Sequence, residues 1–277
     1  MGLEGKLPVV TVIGTCRVHH TLRNLAEKKR IVMNNGGLGT FIHSTPEAVL
    51  RLKVLLQLET YKETLLKLQV GESNEKKTKP DEGFDFSETD ILVVEISTIK
   101  SLSANGNPLQ FNEVARHMCT PHGDFGMELR QNLNNAFNKR EHFVQMPKQK
   151  IPDEFPEEFS NLISELVPVV QDSKIISSDL DEIRNLAKIP VLFVNHINLP
   201  GTNGKLITSR NKLCNIINEY AEERNLQVFN PATMFEEYEA KDLLMKEGND
   251  LNHYAKDKLE IVGEIQLKSI SKLLNSN

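Results

Sequence analysis

Short β-branched runs alternate along this chain with longer stretches of helical spacing. Residues 8–14 (PVVTVIG) are apolar almost throughout and stop at a glycine, which predicts a strand buried on both faces. Residues 18–29 read as a helix. Residues 30–35 (RIVMNN) predict a second strand that runs into the glycine-rich stretch NNGGLGT. From 44 to 70, Leu and Val recur at helical spacing behind a start signal. Ser44 or Thr45 is the cap, Pro46 fits the first turn, and Glu47 suits the positive end. Residues 71–88 are charged and contain Gly and Pro, as a surface loop does. Residues 90–97 (DILVVEIS), 189–197 (IPVLFVNHI) and 226–231 (LQVFNP) predict three further strands. Helices are expected over 127–143, over 207–225, once or twice within 153–187, and from about Lys256 to the end.

This alternation predicts an α/β fold: a three-layer αβα sandwich around a mostly parallel five-stranded sheet, with right-handed crossovers. The expected organisation is one domain over residues 1–277, with a turn-rich insertion or cap at about 101–150. Ligands of such sheets bind beyond the carboxyl ends of the strands. The residues of interest therefore follow each strand: Gly14 to Arg17, Asn34 to Gly39, Glu95 to Ser97, Asn195 and His196, and the segment after Phe229.

Composition narrows the function classes. The chain has 277 residues, is 39% hydrophobic and 26% charged, and carries a formal charge of −5. It shows no basic excess of the kind that marks nucleic-acid binding, so no nucleic-acid partner is expected. No apolar run approaches the ~18 residues of a membrane span, and the first residues lack the layout of a signal peptide. Lys6 stands where the myristoylation pattern wants Ser or Thr. The expectation is a cytoplasmic protein without a membrane partner. Cys16, Cys119 and Cys214 are odd in number and widely spaced, which argues against a disulfide framework and a zinc site. His117, Cys119 and His122 form a short cluster with no evident fourth ligand, so no metal is expected.

The strand ends carry the chemistry. Cys16 follows the first strand at a helix start, where free N–H groups and the helix dipole favour a thiolate. Asp250 and His253 lie three apart, a spacing that lets the carboxylate hold one ring nitrogen and leaves the other for a nucleophile. The glycines of NNGGLGT (Gly36, Gly37 and Gly39) allow backbone amides to approach a ligand closely, but the stretch lacks a dinucleotide fingerprint. Arg17 suits an anionic substrate group or a salt bridge. His196 lies beside the expected site, either touching substrate or satisfied in the interior. Glu95, at a buried strand end, needs a partner in Arg17 or Arg210, or else a raised pKa. His19 and His20 read as ordinary helix residues.

The layout resembles the SGNH/GDSL hydrolase superfamily. Gly14-Thr15-Cys16 stands at the nucleophile position, a glycine of the NGGLG stretch at the second, and Asp250 with His253 at the late Asp-x-x-His. The resemblance implies a flavodoxin-like sheet and a catalytic trio of Cys16, His253 and Asp250. Two features depart from the family pattern. The nucleophile is Cys rather than Ser, and the third block reads Glu95-Ile96-Ser97-Thr98 without its usual Asn donor. Ser97 or Asn195 would then donate to the oxyanion. Similarity to the capsular-polysaccharide acetyltransferase-like group implies acyl transfer, as acetyltransferase or esterase, on a carbohydrate or other small acylated substrate. No cofactor is expected to be bound, and acetyl-CoA is an expected acyl donor. The competing expectation is an inactive glycan- or nucleotide-sugar-binding protein.

Overall fold

The computed structural model describes residues 6–38, 41–71, 77–139, 144, 150–201 and 203–276. The chain begins β1 (Val9–Ile13), α1 (Cys16–Glu27), β2 (Val32–Met33), α2 (Thr45–Leu55), α3 (Leu66–Val70) and β3 (Ile91–Glu95). It continues β4 (Lys100–Ala104), β5 (Asn107–Leu109), α4 (Phe111–Val114), α5 (Gly123–Lys139), α6 (Glu157–Ile163) and β6 (Leu166–Val170). It ends α7 (Ser173–Ala187), β7 (Val191–Val194), α8 (Thr208–Glu223), β8 (Val228–Phe229), α9 (Ala240–Leu243) and α10 (Leu259–Ser276).

Five strands form one parallel sheet in the order β2-β1-β3-β7-β8. Side chains along a strand alternate between its faces, and both faces here are apolar. Val10, Val12, Ile91, Val93, Leu192 and Val194 pack with Val18, Leu22 and Leu25 of α1 and Val262 and Ile270 of α10. Ile13, Leu92, Val94 and Phe193 face the other way, against Leu52 of α2, Ile176 and Leu180 of α7, and Leu213 and Ile217 of α8. This is the expected three-layer sandwich, in the strand order of flavodoxin-like folds.

Three expectations need correction. The helix expected over 44–70 ends at Leu55, and Gln57 takes a positive φ before the short α3. Its start is as read: Pro46 lies in the first turn, and Glu47 accepts from Ser44 Oγ (2.6 Å) and from the His43 N–H (3.2 Å). The turn-rich region is wider than 101–150. From β4 to β6 it builds a second, antiparallel sheet in the order β5-β4-β6, with its own core around Leu102, Leu109, Leu129, Leu133 and Leu166. Within 153–187, a strand that helical spacing missed (β6) lies between two helices. Pro168 is tolerated there because β6 is an edge strand. Of the helix expected over 127–143, residues 140–143 lie outside the described residues.

His19 is not an ordinary helix residue. It is fully buried on α1, its ring 5.7 Å from Phe41, and its Nε2 has no partner. Burial, then the charges of Arg51 and Arg23, push its pKa down to about 3. The unfolded chain protonates this histidine below pH 6.5 while the folded chain does not, so stability is lost as pH falls below 6.5. His19→Phe keeps the packing and removes that proton. Urea unfolding at about pH 7 and about pH 5 should show an acid-induced loss smaller by roughly 2 kcal/mol in the variant. Equal losses in both proteins would contradict this assignment.

Candidate active site

Cys16 opens α1 directly after β1, with Thr15 as the N-cap. The turn requires Gly14, because a Cβ there would meet Val18 Cγ1 at 2.7 Å and Glu95 Cβ at 2.8 Å. That close approach brings the end of β3 against the start of α1. Glu95, 1% exposed, accepts from the Thr15 N–H (3.1 Å), from the Thr15 hydroxyl and from Arg17 Nε (2.6 Å). The sequence left Glu95 with two candidate partners, and Arg17 is the one it has. Arg17 is itself 6% exposed, and its Nη1 donates to the carbonyl of Asn252 at 3.1 Å.

The Cys16 thiol is half-buried and its pKa is raised, contrary to the expectation for a helix start. Burial is the largest cause. The Arg17 charge and the N–H groups of Arg17 and Cys16 oppose it, and the Glu95 charge adds to it. Loss of water around the sulfur outweighs the helix end. The resting form is therefore a thiol that needs a base.

Asp250 and His253 lie on a compact loop closed by the Leu244–Tyr254 bridge. The loop is shaped by bonds from Met245 N to the His253 carbonyl (3.1 Å) and from Asp250 N to the Met245 carbonyl (3.2 Å). Buried Leu243, Leu244 and Tyr254 anchor it in the core. The Asp250 carboxylate oxygens lie 3.1 and 3.2 Å from His253 Nδ1, as the spacing predicts. Burial works against the Asp250 charge, but the Asn252 N–H and His253 hold its pKa below the ordinary value. With Nδ1 turned to the carboxylate, Nε2 of the half-exposed ring is the nitrogen left for a nucleophile. No hydrogen bond joins His253 to Cys16 Sγ. His20 lies one turn beyond Cys16 on α1. Its pKa is lowered by burial, then by the charges of Arg23 and His253.

The other expected site residues divide. His196 is buried, with Nδ1 2.9 Å from the carbonyl of Ile197. Burial, then Arg17 and Arg210, press its pKa down to about 2, so its ring is neutral near Arg17. Ser97 Oγ is 3.0 Å from His43 Nδ1, and His43 Nε2 is 3.3 Å from Asn112 Nδ2. Burial, then the Arg17 charge, lowers the His43 pKa. Asn195 is fully buried and its amide donates to Asn218 on α8 at 2.7 Å. Gly36 and Gly37 form a left-handed turn against Lys77, Pro80 and Asp81, and Asp81 N donates to the Gly36 carbonyl. The segment that meets the nucleophile turn is instead at Ile42, whose N–H donates to the Gly14 carbonyl at 2.8 Å. Gly39 lies outside the described residues. His117, Cys119 and His122 diverge: His117 faces Glu113 at 3.5 Å, Cys119 is buried, and His122 packs on Phe155.

Sequence reasoning missed His43, Asn112 and the role of Arg210. Arg210 is 9% exposed on α8; its Nη1 donates to the carbonyls of Ile197 (2.9 Å) and Leu251 (3.1 Å), and its Nη2 to Asn252 Oδ1 (2.8 Å). Burial, then Arg17, lowers its pKa to about 10. A signal was present. Arg210 falls in register with the apolar stripe Leu213, Cys214, Ile217, where a guanidinium needs acceptors.

The sheet order defines an α/β protein of flavodoxin-like topology, with a thiol after its first strand and a late Asp-x-x-His. Residues 8–268 match the model of the TviD N-terminal domain, and the chain belongs to that family. It is 24% identical over 255 residues to the Vi polysaccharide biosynthesis protein TviD of Salmonella typhi, covering 88% of this chain. It spans only 29% of that relative's length. Among solved structures it is similar to the psychrotrophic esterase EstA from Pseudoalteromonas sp., at 12% identity and a TM-score of 0.43, over 96% of this chain and 98% of that one. It is also similar to the acetyl xylan esterase AlAXEase, at 10% identity and a TM-score of 0.43, over 95% and 99% of the two chains. Among the described residues, no helix is long and apolar enough to cross a membrane.

Proposed function

We propose that this chain transfers or removes acyl groups on a carbohydrate, with Cys16 as nucleophile, His253 as base and Asp250 as its orienter. The observation that carries the reading is the Asp250–His253 pair. It lies on a loop tied to Arg17, the neighbour of Cys16, the one thiol at a strand end among the described residues. The polysaccharide named for the Salmonella relative favours a glycan substrate.

His253 Nε2 takes the proton from the Cys16 thiol as sulfur attacks the acyl carbonyl. The N–H groups of Cys16 and Arg17, at the start of α1 beside the sulfur, are the donors that would receive the developing oxyanion. The intermediate collapses to a thioester on Cys16, and the leaving group departs with the proton held by His253. An incoming sugar hydroxyl, or water, gives its proton to His253 and takes the acyl group. A CoA thioester such as acetyl-CoA suits a thiol nucleophile, because thiol and thioester exchange at nearly equal energy.

The test is intact-protein mass spectrometry after incubation with acetyl-CoA or an aryl acetate and no acceptor. An added acetyl group on Cys16, absent from Cys16→Ala and much reduced in His253→Ala, is the expected result. No adduct with either donor would contradict the reading. It would favour the second one, a glycan-binding protein with an inert thiol, which the raised Cys16 pKa supports.

A further inference from the structure

The base of the proposed site sits at the exposed tip of a loop. That loop's own hydrogen bonds fix its shape, but they do not fix where the tip stands relative to Cys16. The polar contacts that carry this information come from two buried arginines on different helices. Arg17 on α1 is fastened to Glu95 at the end of β3, and reaches across to the Asn252 carbonyl at 3.1 Å. Arg210 on α8 is fastened to the Ile197 carbonyl beyond β7, and reaches across to the Leu251 carbonyl and to Asn252 Oδ1. Each guanidinium thus spans from a strand end to the loop, through donors set in a rigid plane. The Asn252 N–H in turn donates to Asp250 Oδ1 at 2.9 Å, so the clamped residue is bonded to the carboxylate that orients His253.

We propose that Arg17 and Arg210 are a positioning pair that clamps the 250–253 loop to the strand ends, and so sets His253 where it can serve Cys16. This rests on the acyl-transfer reading for its catalytic consequence, but the clamp itself is a statement about the loop. The arrangement also couples the two halves of the site. The nucleophile's immediate neighbour holds the residue immediately before the base, so a shift at the start of α1 is passed to the loop through one side chain.

Asn252 makes the test clean, because it is exposed and its side chain meets Arg210. Asn252→Ala removes that acceptor, and Asn252→Asp keeps one and strengthens it. Hydrogen–deuterium exchange is measured over residues 249–255, and Cys16 alkylation is followed against pH. Asn252→Ala should exchange about tenfold faster in that segment, the loss of one hydrogen bond to a charged group, with the sheet unchanged. Its alkylation profile should move toward that of His253→Ala. Asn252→Asp should match the wild type in both. Arg210→Met should exceed Asn252→Ala, since it frees Leu251 as well. Unchanged exchange in Asn252→Ala, or an Asn252→Asp variant that behaves like it, would overturn the clamp. Faster exchange in Asn252→Ala, with an alkylation profile that His253→Ala does not alter, would support the clamp and overturn the acyl-transfer reading.

Discussion

Cys16→Ala is expected to reduce acyl transfer by about four orders of magnitude or more, to whatever the oxyanion donors and substrate binding supply alone. Gly14 allows no side chain between α1 and β3, so the residue two positions on is presented at the sheet's carboxyl end. No other described cysteine has that placement: Cys119 lies in the second core and Cys214 under the His196 carbonyl, both buried. Cys16→Ser should retain far more activity than Cys16→Ala. Burial keeps the thiol protonated, so the site already has to work by general base, as a serine site does. Steady-state rates with one acyl donor compare the three proteins. Comparable rates in wild type and Cys16→Ala would remove Cys16 from the mechanism.

The second large effect is on stability. Arg17→Met leaves Glu95 as a buried charge that keeps only its Thr15 partners, and breaking such a pair costs about 3–5 kcal/mol. Replacing both partners is a different matter, because a buried ion pair gains little over apolar groups that fill the same space. Arg17→Met with Glu95→Leu should therefore recover much of the loss in urea unfolding. The double variant should remain deficient in loop protection, because Arg17 no longer reaches Asn252. A single Arg17→Met variant within about 1 kcal/mol of wild type would contradict the account of this pair.

The centre of the sheet was legible because β1, β3 and β7 bury both faces, and a continuous β-branched run is a local signal. Five strands were expected and they form the five-stranded parallel sheet, Val9–Ile13 and Ile91–Glu95 among them. β6 was not legible, since Pro168 speaks against a strand until its edge position is known. The break after Leu55 was hidden because Leu65 and Leu68, in a different core, and Leu66, in the same one, continue the apolar pattern. In the site, the Asp250–His253 bond followed from spacing alone. The contacts of His43 with Ser97 and of Arg210 with Asn252 join residues 54 and 42 positions apart, and local pattern carries no record of such pairs. The thiol's pKa could not be read either, because the sequence shows the helix start but not how much water burial removes.

The central claim is that Cys16 and His253 work as a pair, and alkylation of Cys16 against pH tests it most directly. Wild type, His253→Ala and His20→Ala are compared, with the Cys16 peptide followed by mass. Because His253 takes the proton as the thiol attacks, the account predicts base-assisted alkylation near neutral pH in the wild type and in His20→Ala, although the resting thiol is held protonated by burial. In His253→Ala it predicts a single slow titration above the ordinary thiol range of about 8.5. The same high titration in all three proteins, or a change on removing His20 alone, would contradict it.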